Sequence, residues 1–261
     1  MIKRAVIQIL FLVCPLCLKG QSEQLVINPP AGGEERLFTF ENPKGSIKVT
    51  GYDGSVIVVT GTLRYPEAAK KSGGLRKIEQ SPVDIRAEVN GQNVLLLCGT
   101  SDKTVDFDIK IPSGFSMKLK SLDNGNVDIL NINGEVEVIN NNGNITLENI
   151  SGSAILNSVF GDITVVFREV RPDSPMMLTS FEGEISLTVP ATTNANLKMK
   201  SGKGEILSEI DFQPLKRQPV VRQVENTSVY SLEDWITGSI NKGGAEIVLQ
   251  TYTGNIILKK R

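Results

Sequence analysis

Glycine returns every nine residues at Gly125, Gly134, Gly143, Gly152 and Gly161, and a period this regular restricts the chain to repeat architectures. Two and four places after each glycine stand apolar residues: Val127 and Ile129, Val136 and Val138, Ile145 and Leu147, Ala154 and Leu156, Ile163 and Val165. A two-residue apolar period marks a short strand with one buried face, so each unit reads as a glycine turn followed by a strand. Ile132, Ile150 and Val159 form a second apolar column, seven places after their glycines. Asn131, Asn140 and Asn149 lie six places after theirs, and Asn124, Asn133 and Asn142 immediately precede a glycine. Asn tolerates left-handed backbone angles and Asn-Gly is a strong turn pair, so these positions read as corners.

The motif recurs outside the ladder. Gly45-Ser-Ile-Lys-Val49 and Gly54-Ser-Val-Ile-Val58 lie nine residues apart near the start, Gly183 and Gly204 follow at wider spacing, and Gly254-Asn-Ile-Ile-Leu258 closes the chain. The wider intervals fit the same coil with loops inserted at one corner. The expected fold is all-β: a single-stranded, right-handed β-solenoid or β-helix whose turns are Gly45, Gly54, Gly125, Gly134, Gly143, Gly152, Gly161, Gly183, Gly204 and Gly254. Stacked coils would align Val, Ile and Leu in interior columns and let Asn bond to the Asn above and below. The alternative is a β-sandwich. It accounts for an antiparallel hairpin around Asn90-Gly91, between Val83–Val89 and Val94–Cys98, but has no need of a nine-residue period.

Residues 1–20 read as a secretory signal peptide: Lys3 and Arg4, an apolar run from Ala5 to Leu18, and cleavage after Gly20. Lipid attachment at Cys14 or Cys17 is the competing reading, with bulky Val13 and Leu16 where a small residue is wanted. Residues 21–35 form a lead-in and 36–261 the β-domain. That domain divides into N-terminal strands and a hairpin (36–100), central repeats (101–210), an insertion (211–243) and closing strands (244–261). The pattern changes between Arg64 and Ser81, a mostly basic turn or loop, and breaks again in the insertion, which holds the only tryptophan, Trp235. The insertion is expected to cap an open end of the solenoid, the competing role being a binding lid. No further segment could span a membrane, and after removal of the leader only Cys98 remains, which leaves no internal disulfide.

The chain has 28 basic and 29 acidic residues and no histidine. Losing Lys3, Arg4 and Lys19 with the leader leaves 25 against 29, a net charge of −4, which speaks against a nucleic-acid partner. The absence of histidine removes the commonest general base and metal ligand, so neither a metal nor another cofactor is expected.

Several stretches carry a family resemblance: Glu41-Asn-Pro-Lys-Gly-Ser-Ile-Lys-Val-Thr-Gly-Tyr-Asp-Gly54, the ladder from Asn124 to Val165, Ile185-Ser-Leu-Thr-Val-Pro190, and residues 244–258 with Thr-Tyr-Thr-Gly-Asn-Ile-Ile. They cover most of the chain beyond the leader, and the chain resembles the bacterial DUF4097 family of Bacteroidetes-type envelopes, whose members carry an adhesin label. The resemblance implies an exported β-solenoid with no family catalytic residues to transfer.

The reading that follows is an exported, non-enzymatic envelope protein, periplasmic or at the cell surface, that binds a surface glycan or a protein. Lys118, Lys120, Lys198 and Lys200 alternate with inward Met117, Leu119, Leu197 and Met199, and the two lysine pairs could form one basic strip for an anionic glycan, with Trp235 a further candidate contact. The competing account of the lysines is that they keep exposed strands from pairing. Two other functions compete: a carbohydrate-active β-helix enzyme and an envelope scaffold that polymerises through its open coils. Enzyme chemistry would need converging carboxylates. Asp106, Asp108, Asp123 and Asp128 are the available set and are expected on different faces, with aromatic platforms scarce at five per cent of residues. Calcium ligation is not expected either, because the turns are Asn-Gly without a recurring aspartate.

Overall fold

A computed structural model describes residues 22–29, 36–64, 83–99, 102–216, 219–225, 227–232 and 234–261. The leader, the cleavage point and most of the basic Arg64–Ser81 segment lie outside the described residues. Among the described residues there is no helix, hence none long and apolar enough to cross a membrane.

In chain order the N-terminal strands are β1 (Ser22–Ile27), β2 (Leu37–Asn42), β3 (Ile47–Tyr52), β4 (Ile57–Leu63), β5 (Ile85–Asn90), β6 (Asn93–Cys98) and β7 (Val105–Pro112). The central ones are β8 (Ser116–Ser121), β9 (Val127–Leu130), β10 (Val136–Asn142), β11 (Ile145–Gly152), β12 (Ala154–Phe160), β13 (Ile163–Val170), β14 (Met176–Glu182) and β15 (Ile185–Val189). The C-terminal ones are β16 (Ala195–Ser201), β17 (Ile206–Ser208), β18 (Gln213–Pro214), β19 (Pro219–Val224), β20 (Thr227–Leu232), β21 (Ile236–Ile240), β22 (Glu246–Thr253) and β23 (Ile256–Lys260).

The strands form a ten-stranded sheet, an eleven-stranded sheet and a separate β19–β20 hairpin. Successive strands of the ladder alternate between the two large sheets, so a coil is one strand from each and each glycine stacks on the one eighteen residues away. In-register parallel pairing of Ile145 with Val127 and Ile163, and of Val136 with Ala154, makes the central part β-solenoid-like. All ten apolar residues at the two and four positions of the ladder are buried at 1% exposure or less, in one core cluster between the sheets.

The coil of eighteen makes the two corners unequal. Asn131 and Asn149 have left-handed φ of 60° and 57°, and the Asn149 side-chain amide donates to the Asn131 Oδ1 at 2.7 Å, the ladder expected of stacked Asn. Asn140 sits at the other corner and is fully buried: its Nδ2 donates to the carbonyls of Gly125 and Asn144, and its Oδ1 accepts from the Asn142 N–H. Ile132 and Ile150 are buried, whereas Val159, from the alternate type of unit, is half-buried on the outside.

The chain does not stack in sequence. Read from one end, the coils are β6–β7, β2–β3, β8–β9, β10–β11, β12–β13, β14–β15, β22–β23 and β16–β17. The first and last coils of the chain are therefore each slipped inside a coil that lies nearer the middle of the sequence, and the closing strands 244–261 do not end the stack. An intercalated coil pairs its backbone on both sides, so β2–β3 and β22–β23 present no open edge. One column of glycines follows this spatial order. A Cβ on Gly125 would collide with the Gly45 carbonyl, one on Gly143 with that of Gly125, and so on through Gly161, Gly183, Gly254 and Gly204.

Outer edges carry antiparallel strands: β4 and then β1 beyond β7, β5 beyond β6, and β21 and then β18 beyond β16. The segment read as a lead-in thus contains a paired strand, and structure begins before Leu37. Gly54 departs from the expected repeat too. The strand after it is antiparallel and buries Ile57 and Val59, not Val56 and Val58, because a one-residue shift exchanges the faces of a strand. A Cβ on Gly54 would strike the Tyr52 ring and not a neighbouring coil.

Candidate functional site

The core-facing residues of the two sheets are alike, but their outward faces differ. On the ten-stranded sheet, neighbouring strands put Lys48, Asp128, Thr146, Thr164 and Ser186 side by side, a polar row that ends in Ile257 and the exposed Leu207 at the last coils. On the eleven-stranded sheet one outward row runs Thr39, Lys118, Glu137, Ile155, Met177, Val248 and Lys198, and the next runs Glu41, Lys120, Ile139, Asn157, Thr179, Gln250 and Lys200. Ile155 and Met177 are 51% and 46% exposed, and Ile139 is 38% exposed. Phe181 and Tyr252 continue the patch towards the glycine corner, half-exposed and stacked with centroids 5.1 Å apart and planes 7° from parallel.

The four lysines do not form one strip. Lys118 and Lys198 share a row but are separated by β10, β12, β14 and β22, about 24 Å at roughly 4.8 Å per strand. Their surroundings differ as well. Lys118 is paired with Glu137 at 2.9 Å and Lys120 with Glu41 at 3.3 Å, across neighbouring strands. Lys198 and Lys200 instead lie over Trp235, with Nζ 4.8 and 6.0 Å from the ring centroid.

The register explains this second cluster. Leu197 and Met199 face the core, so Lys198 and Lys200 between and beyond them project outward. The antiparallel pairing of Met199 with Ile236 and Lys198 with Thr237 then brings Trp235, one residue before β21, beside Lys200. Lys203 follows in the turn with Nζ 5.0 Å above the Tyr252 ring, and Gly202 lies against that ring. A cavity of about 410 Å³ opens here, lined by Lys200, Ser201, Gly202, Gly204 and Asp234 among others.

Of the aspartates, Asp106, Asp108 and Asp128 share the outer face of the ten-stranded sheet, contrary to the expectation of different faces. Side chains alternate in and out along β7, which puts Asp106 and Asp108 on one side, and the parallel register of β3 and β9 adds Asp128 to it. Each has a cation beside it. Arg64 holds Asp106 through Nε and Nη2, and Lys48 stands between Asp108 and Asp128 on the intervening strand. Asp123 pairs with Lys44 at 3.8 Å in a turn where Asn124 is left-handed. Among the described residues no group of three His, Cys, Asp or Glu could hold a metal ion.

Sequence reasoning missed Lys203, Tyr252, Phe181, Ile139, Ile155 and Met177. A signal existed for two of them: Ala154-Ile155-Leu156 and Met176-Met177-Leu178 are apolar at three successive places, and a strand with one buried face needs only two.

The profile of the Toastrack DUF4097 family matches residues 39–258. The chain belongs to that family. The Toastrack match takes in every strand from β3 to β22, the glycine column and both lysine clusters. No curated protein matches the sequence. Among solved structures, the chain is similar to a putative cell adhesion protein from Clostridium sporogenes, with 14% identity and a TM-score of 0.47 over 93% of this chain and 100% of that one. It is also similar to a putative adhesin from Bacteroides fragilis, with 14% identity and a TM-score of 0.41 over 93% of this chain and 98% of that one.

Proposed function

We propose that the protein is exported, works in the periplasm or at the cell surface without catalysing a reaction, and binds a surface partner through the outer face of its eleven-stranded sheet. The observation that carries this is the exposed apolar and aromatic patch in the middle of that face. Ile139, Ile155, Met177, Phe181 and Tyr252 form an exposed apolar and aromatic patch across four neighbouring strands, where an unpartnered sheet face would carry polar residues. Export is supported by the basic start, apolar run and small residue of the first twenty positions. The insertion serves as a cap in this reading, because β21 covers the outer edge of β16 and would otherwise leave a row of open backbone groups.

The test has two parts. The protein recovered from the envelope fraction of its native cells should begin at Gln21 on N-terminal sequencing; an intact leader on a cytoplasmic protein would defeat the export claim. Purified protein should be retained by envelope preparations and lose retention on the double change Ile155→Glu and Met177→Glu, with an unchanged circular dichroism spectrum. Equal retention of the variant would remove this face from consideration.

A further inference from the structure

We infer that the corner formed by Trp235, Lys198, Lys200, Lys203 and Tyr252 binds an anionic polysaccharide, a claim that rests on the surface-binding reading above and names its ligand class. Three ammonium groups meet here with aromatic rings as their close partners: Lys198 and Lys200 over Trp235, and Lys203 over Tyr252. Among the described residues none of the three has a carboxylate within 4.0 Å, whereas Lys118 and Lys120 on the same face both do. Among the described residues, carboxylates thus pair with Lys118 and Lys120 but not with the lysines of this corner, in a chain whose formal net charge is −1.

The shape suits a chain of sugar rings. Two aromatic platforms belong to this corner, Trp235 under Lys198 and Lys200 and the Tyr252–Phe181 stack under Lys203, and Lys200 also lines the 410 Å³ cavity. Pyranose rings present C–H faces that pack on aromatic planes, while carboxylate, sulfate or phosphate groups on the sugar meet the lysines. The Ser201 hydroxyl in the cavity wall is tied to the backbone, donating to the Gly254 carbonyl and accepting from the Gly204 N–H, and so fixes the corner on which the lysines stand. Glu182 and Glu205 stand near the glycine corner, neither within ion-pair distance of a described lysine. Lysines act as compact, strongly hydrated charges, so the interaction should weaken steeply as salt is raised.

Affinity electrophoresis of the purified protein in gels containing polygalacturonate, dextran or polyglutamate tests this. Retardation by polygalacturonate alone, diminishing with salt, is expected. Changing Lys198 and Lys200 to Glu should weaken it about tenfold or more, the loss of one modest interaction being already worth about that factor. Lys203→Glu, at an exposed turn position where folding is not at stake, should weaken it as well, and Lys118→Glu with Lys120→Glu should leave it unchanged. Equal retardation by dextran or by polyglutamate overturns the assignment, as does wild-type behaviour of both the Lys198/Lys200 and Lys203 variants. Envelope retention measured in parallel separates the two claims: retention without polygalacturonate binding sinks the polysaccharide claim alone, and polygalacturonate binding without retention sinks only the broader reading.

Discussion

Replacing Gly143 with alanine isolates what the glycine column contributes. Gly143 has φ of +140°, a region that side chains with a Cβ rarely occupy, and the added methyl would point into the carbonyl of Gly125 in the next coil. That carbonyl is held in place by the Asn140 amide, so it cannot swing away without breaking a buried hydrogen bond. Backbone strain of about 1–3 kcal/mol and overpacking of about 1–3 kcal/mol together give a destabilisation of about 2–6 kcal/mol. Gly91 is the internal control. It too has positive φ, +58°, but an added Cβ meets nothing within 4 Å, so Gly91→Ala should cost only the left-handed term of about 1–2 kcal/mol. Urea unfolding followed by circular dichroism compares the two, provided the slope with denaturant stays constant. If Gly143→Ala costs no more than Gly91→Ala, the close approach of successive coils is not what the glycines are for.

Asn140→Ala should cost about 2–3 kcal/mol, since it leaves buried carbonyl and amide groups without their partner, and Asn140→Ser should recover part of this because Ser121 and Ser180 fill the same column and bond to glycine carbonyls; urea midpoints check both. Ile155→Thr and Met177→Thr should each change stability by no more than about 0.5 kcal/mol, as for exposed positions, against about 2–4 kcal/mol for Leu156→Ala in the core, read by the same unfolding curves. Deleting residues 244–261 should strip amide protection from β16 and β17 as well as from the removed strands, because β22 and β23 lie between them and the rest of the stack. Hydrogen exchange that still protects β16 and β17 would contradict the intercalated order.

How much of this could be read in advance depends on range. The inward column from Val127 to Val165 is a local alternation, and every residue in it is buried as the two-residue period requires. The Asn90-Gly91 hairpin is local as well and forms with Asn90 opposite Asn93, around a two-residue turn. Gly54 shows where a local pattern misleads: Gly-Ser-Val-Ile-Val satisfies the motif, but Val56, Ile57, Val58 and Val59 are all apolar, so the sequence does not say which pair faces inward. Antiparallel pairing with β7 decides it. The intercalated coils left no local trace at all. Gly183, Gly204 and Gly254 look like three successive turns, yet Gly254 stacks between the other two, and nothing in the spacing distinguishes that order from the sequential one.

The same order is what makes the candidate binding corner. Lys198 and Lys200 look equivalent to Lys118 and Lys120 in sequence, each pair alternating with inward apolar residues. Had the coils stacked sequentially, β16 would adjoin β14 directly and Tyr252 would lie beyond it. Because β22 enters between them, Tyr252 stacks on Phe181 from one side and receives Lys203 on the other, while the outer edge of β16 is left for β21 and brings Trp235 to Lys200. Lys118 and Lys120, deep in the stack, have Glu137 and Glu41 on neighbouring strands and are neutralised by them. Identical local motifs thus acquire opposite electrostatic settings from their place in the stack. The proposed polysaccharide corner thus owes its electrostatic setting to the end of the stack where the last coil enters out of turn.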